Sequence, residues 1–163
     1  MSKSSVPLGT LSLLTKGAVI VLGAGLLADK GLVGLRSLEF IDNGTHNFWM
    51  IPAFWVGILA PAFYLFALWA ASDVFDRMDK GDAFGPAMVK GLKEVGNNMI
   101  YGAVAAIFIA PTLIFLIDTN FERMTGFKYH VEIEHLTIGA IGLVLSLLAR
   151  QGQVLKSELD QIV

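Results

Sequence analysis

The chain contains no cysteine, which excludes disulfides, thiolate catalysis and Cys-ligated zinc or iron–sulfur centres. Charge is scarce as well. Asp, Glu, Lys and Arg make up 16% of the 163 residues, against about 25% in an average soluble protein. The formal net charge is −2, so the basic stripe by which proteins hold nucleic acid is missing, and no direct nucleic-acid binding is expected. The apolar stretches hold no nucleophile–base pair, no Gly-rich phosphate loop and no metal-spaced cluster. No catalytic residue and no cofactor is assigned, and the chain is not expected to be an enzyme. Hydrophobic residues, 55% of the total, take the place of charge. Residues 49–71 run 23 positions from Trp49 to Ala71 without a charged side chain, enough for a helix to cross the roughly 30 Å hydrocarbon core of a bilayer.

Hydropathy gives four spans, at about 11–28, 49–71, 99–117 and 133–149. Lys3 and Lys16 precede an apolar run at 17–28 that has signal-peptide length. Asp29 and Lys30 follow it in place of a small-x-small cleavage site, so it reads as an uncleaved first span. The fourth span has only 14 uncharged residues, 136–149, short for a crossing. Extended back to Val131 it reaches, with Glu132, Glu134 and His135 near the interface. With the N-terminus in the cytoplasm, the inner segments carry 8 of the 12 Lys and Arg residues (Lys3, Lys16, Arg77, Lys80, Lys90, Lys93, Arg150, Lys156) and the outer loops carry 4 (Lys30, Arg36, Arg123, Lys128). The positive-inside rule therefore puts both termini in the cytoplasm. The fold class expected is all-α membrane protein: one domain, 1–163, of four transmembrane helices, with a cytoplasmic loop at about 72–98 and a cytoplasmic tail at 150–163. Trp49, Trp69 and Tyr101 lie near span ends, where amphipathic rings favour the headgroup zone. Small residues recur at Gly17, Gly23 and Gly25, at Gly102, Ala103, Ala105 and Ala106, and at Gly139, Ala140 and Gly142. They allow close helix approach in lipid, in an intramolecular bundle first and in a homo-oligomer as the alternative.

In the outer loops, Phe127, Tyr129, Val131 and Ile133 alternate with Lys128, His130, Glu132 and Glu134, the period of a strand. Leu38, Phe40 and the Asp42-Asn43-Gly44 turn signal offer a partner, so a small extracytoplasmic strand pair is expected. All three histidines fall on that side. No metal site is assigned; the residues that would form one are His46, His130, Glu132 and His135, since imidazole and carboxylate bind divalent metals and imidazole also titrates near neutrality. Ordinary solvated side chains are the favoured reading.

The inner loop has its own helical spacing. Asp73, Asp76, Arg77 and Lys80 recur every three or four residues, so opposite charges can pair. Gly81 is a helix stop, and Pro86 suits the first turn of a second short helix with Met88, Leu92 and Val95 on one face. An amphipathic connector lying along the membrane is the plain reading, and a docking surface for a cytosolic partner the functional one. Gly81-x-x-Phe84 after the second span is echoed by Gly152-x-x-Leu155 after the fourth, which suggests two related helical hairpins.

These two stretches, with Glu158 and Asp160 completing a G-x-x-L-x-x-E-x-D tail, resemble the bacterial membrane family known as domain of unknown function 2975. Where that family usually ends on a Leu-Thr-Val type, this chain has Gln161-Ile162-Val163. The resemblance implies a multi-pass protein of the bacterial inner membrane with no established activity. Some proteins it looks like are encoded beside small helix-turn-helix regulators, which suggests a membrane partner that binds or sequesters such a regulator through Gly81, Phe84, Gly152, Leu155, Glu158 and Asp160. An acidic tail suits a basic DNA-binding surface. The alternative is a small transporter, channel or accessory subunit of a membrane complex. Transport usually needs ionisable groups or broken helices within the membrane. The spans as drawn hold almost no ionisable groups, though Pro52, Pro61 and Pro111 could break helices.

Overall fold

The computed structural model describes residues 8–39, 50–79, 86–119 and 126–159. Helices occupy nearly all of them: α1 (Leu8–Glu39), α2 (Met50–Asp79), α3 (Pro86–Val104), a π-helical turn (Ala105–Ile109), α4 (Ala110–Asp118) and α5 (Ile133–Leu159). Four stretches within them are long and apolar enough to cross a membrane: Gly9–Asp29, Trp55–Asp79, Met88–Ile117 and Ile133–Gly152. In a bilayer a helix satisfies its own backbone groups, which is why glycine-rich α1 and Pro61-containing α2 remain continuous. The helices outrun the apolar spans. Ser72–Asp79 continues α2 and Pro86–Asn98 belongs to α3, so most of the expected inner loop consists of helix ends rather than a separate connector.

The helices form a row in chain order. α1 packs on α2, α2 on α3 and α3 on α5. Neighbours are antiparallel throughout. Lys16 near the start of α1 pairs with Asp73 and Asp76 near the end of α2. Gly91 of α3 lies against Val74 and Gly102 against Tyr64, and Gly139 and Gly142 of α5 lie against Ala103 and Gly96. The start of α1 and the end of α5 therefore share one end of the row.

Two glycines decide the closest approach. A Cβ on Gly142 would stand 2.7 Å from both the Gly96 carbonyl oxygen and Met99 Cβ, and one on Gly96 would stand 2.5 Å from the Gly142 oxygen. Here α3 and α5 touch backbone to backbone, and the Ser146 hydroxyl donates to Asn97 Oδ1 across the same contact at 3.2 Å. Gly17 and Gly25 behave differently, with nothing within 4 Å of where their Cβ atoms would be. Bundle packing thus accounts for the small residues of α3 and α5 and leaves those two of α1 on an open face.

The expected strand pair is not formed. Among the described residues there is no strand; residues 126–132 are irregular and α5 begins at Ile133, while 40–44 lie outside the described residues. A strand needs a ladder partner, and here the backbone is committed elsewhere. Pro111 has no N–H, so the Ile107 carbonyl four residues earlier lacks its helical donor. The His130 N–H donates to that oxygen at 3.0 Å, and the Thr112 hydroxyl donates to the Lys128 carbonyl at 2.6 Å. The π turn immediately before Pro111 belongs to the same break, since single π turns recur where an α-helical ladder is interrupted.

Candidate functional site

The docking of residues 126–132 onto the helix at its π turn and Pro111 brings separated polar side chains together. His130 Nε2 donates to Glu132 Oε1 at 2.9 Å. His135 Nε2, on the first turn of α5, lies 3.4 Å from Glu132 Oε2. Its Nδ1 is 3.2 Å from the Tyr64 hydroxyl of α2, and the two rings stack with centroids 6.3 Å apart. The chemistry fixes a direction. A carboxylate only accepts, so the His130 Nε2–H donates to Glu132, while the Tyr64 hydroxyl and His135 Nδ1 share one hydrogen bond. The result is one chain, His130–Glu132–His135–Tyr64, tying the irregular segment to two helices. Tyr64 fits because Gly102 leaves room: a Cβ there would collide with the Tyr64 ring.

A second polar group sits at the opposite end. Lys16 Nζ bridges Asp76 and, at 3.5 Å, Asp73. The three-residue spacing of Asp73 and Asp76 turns both aspartates toward α1. Ser72 is fully buried beside them, its hydroxyl donating to the Trp69 carbonyl at 2.7 Å.

The residues singled out in the sequence fare unequally. His130, Glu132 and His135 are brought together, while His46 lies outside the described residues. Among the described residues, no group of three or more His, Asp or Glu is arranged to hold a metal ion; both oxygens of Glu132 are turned to imidazole nitrogens instead. Of the partner-facing set, Gly152 lies on α5, where its Cβ would sit 3.7 Å from Val89 of α3. Leu155 and Glu158 fall on the last turns of α5, their side chains outside the described part. Gly81, Phe84 and Asp160 also lie outside the described residues. Tyr64 was missed. The available signal was a single phenol within an otherwise hydrocarbon span, and a buried tyrosine hydroxyl usually has a polar partner.

No curated protein and no solved structure matches this chain. Over residues 42–163, which take in α2 through α5, the sequence matches the family described as "Protein of unknown function (DUF2975)", and the chain belongs to that family.

Proposed function

We propose that this multi-pass protein resides in the bacterial inner membrane with both termini cytoplasmic, and that it acts as a regulatory partner. In this reading it holds a small cytosolic helix-turn-helix regulator against the membrane. The observation that carries the reading is the contact of Gly152 with Val89. It brings the tail of α5 beside the start of α3, so the two stretches that carry the family resemblance emerge from one end of the row. That end carries Lys90, Lys93, Glu94 and Arg150, in keeping with a face that meets water. The protein touches no DNA, performs no catalysis and offers Phe84, Leu155, Glu158 and Asp160 to its partner.

The test is a crosslinked pull-down of full-length protein from native membranes, beside a variant carrying Phe84→Ala, Glu158→Ala and Asp160→Ala. Capture of a small helix-turn-helix protein by the wild type and its loss from the variant are expected. Equal capture by both, or capture of membrane subunits alone, rejects the tether.

One observation favours the runner-up, a small transporter, channel or accessory subunit. The α3–α4 rod runs continuously through a π turn and a proline, and an ionisable cluster is joined to that turn through His130. A π turn inside a helix is frequent at functional sites, and ionisable groups beside a span are an ingredient of a substrate path. Substrate-linked flux in vesicles of purified protein would select this reading.

A further inference from the structure

We propose that residues 126–132 are an extended segment inside the membrane, leading into α5, and not an outer loop, and that the exposed side chains Phe127, Tyr129, Val131 and Ile133 contact lipid acyl chains. Three contacts trace its course. A Cβ on Gly126 would collide with the Phe115 ring, the Lys128 carbonyl meets Thr112, and the His130 N–H meets Ile107. As the segment advances from 126 to 130, its partner on the rod retreats from 115 to 107. Four extended residues cover about 13 Å, and eight helical residues cover about 12 Å. The segment therefore runs extended and antiparallel alongside α4, down to the π turn.

Its depth follows from the charged end of the row. Lys16 with Asp73 and Asp76, Glu94 on α3 and Arg150 on α5 lie near one level, which the Gly91–Val74 and Gly152–Val89 contacts tie together. From Glu94 to Ile107 is thirteen residues, about 20 Å of rise. A hydrocarbon layer of about 30 Å beginning at that level extends roughly 10 Å past Ile107. Helix α5 gives the same answer. From Arg150 back to Ile133 is seventeen residues, about 26 Å, so α5 opens inside a layer of about 30 Å, close to its far boundary. The extended segment lies at the same depth, between that boundary and the π turn.

The chemistry of the segment suits that depth. Irregular backbone is tolerated in a membrane where protein groups satisfy it, and the His130 N–H and Lys128 carbonyl are both paired. Protein groups contact the polar side chains of the segment: Lys128 Nζ lies 4.4 Å over the Phe115 ring, His130 Nε2 is bonded to Glu132 and His135 lies 3.4 Å from the same carboxylate, while Glu134, on the first turn of α5, is exposed. The apolar ones remain uncovered, at 66% exposure for Phe127, 67% for Tyr129, 51% for Val131 and 84% for Ile133. In water this would be a costly comb of hydrophobic side chains; in acyl chains it is the ordinary surface of a membrane protein. The inference is independent of the tethering role and of which face is cytoplasmic. It makes the His130–Glu132–His135–Tyr64 chain an intramembrane polar site.

Because the chain has no cysteine, single-cysteine variants need no altered background. Val131→Cys, Leu147→Cys and Lys93→Cys would each carry a nitroxide in full-length protein reconstituted into vesicles of phosphatidylcholine and phosphatidylglycerol. Collision rates with oxygen, which concentrates in lipid, and with a water-soluble nickel chelate would then be compared. At position 131 the expected oxygen-to-nickel ratio is several-fold above that at 93 and similar to that at 147, on the lipid face of α5. A ratio at 131 equal to that at 93 overturns the proposal. Wild-type protein gives a check free of substitution. A lipid-soluble carbene reagent should modify 127–133 as readily as Leu147 and Leu148, and modification of the latter two without the former also overturns it.

Discussion

Substituting Gly142 by alanine should separate α3 from α5. The added methyl would lie 2.7 Å from the Gly96 carbonyl oxygen, 2.7 Å from Met99 Cβ and 3.1 Å from the Ile100 nitrogen. None of these is the free end of a flexible side chain. Ordinary contact begins near 3.4 Å, so the helices must part by about 0.7 Å or rotate, and overpacking of this kind costs about 1–3 kcal/mol. The Ser146–Asn97 hydrogen bond, already 3.2 Å long, lengthens with them. Alanine also changes helix propensity, by up to about 1 kcal/mol. Gly17→Ala supplies the control, since nothing lies within 4 Å of that position. The intrinsic term is common to both variants, so their difference isolates the collision. Reversible unfolding of purified protein in mixed detergent micelles, followed by tryptophan fluorescence and circular dichroism, should place Gly142→Ala about 1–3 kcal/mol below Gly17→Ala. Equal stability of the two would refute the backbone contact between α3 and α5.

Tyr64→Phe removes the hydroxyl bonded to His135 Nδ1 while preserving the ring beside Gly102; the same unfolding assay should show a loss of about 0.5–1.5 kcal/mol, and no loss would mean the bond is not made. Pro111→Ala restores an N–H that competes for the Ile107 carbonyl, so hydrogen exchange at the His130 amide should accelerate, and unchanged exchange would separate the proline from the docking. Lys16→Met leaves Asp73 and Asp76 without their α1 partner, and α1 should become more accessible to protease; the paired reversal Lys16→Asp with Asp76→Lys should recover part of the protection, which a purely steric role for Lys16 would not allow.

The four helices were legible because their cause is local. A run of uncharged residues in a chain this poor in charge has one stable solution in a bilayer, and Pro86 marked a helix start, though that helix runs on into the third span where a short separate one was expected. Packing was less legible. The sequence offers glycines in α1, α3 and α5 alike, yet Gly96 and Gly142 meet at the closest approach while Gly17 and Gly25 face open space. Spacing gives the face on which a small residue lies. Which face meets another helix depends on the order of the row, and that order is set by contacts far apart in the chain.

The polar cluster shows the same division at finer grain. The alternation from Phe127 to Glu134 pointed to a strand, but 126–132 are irregular and Ile133 and Glu134 already belong to α5. The alternation did not report the partner. A strand was inferred since a ladder is the commonest way to satisfy extended backbone, whereas Pro111 supplies another: by withholding its own N–H it leaves a helical carbonyl open to any donor that approaches. His130 is that donor. Once its amide is fixed to Ile107, alternation turns His130 and Glu132 to one side, and helix α5 opens with His135 within reach of the same carboxylate. A proline in the third span thus positions a carboxylate twenty-one residues later, a dependence invisible to any window of sequence that contains only one of them.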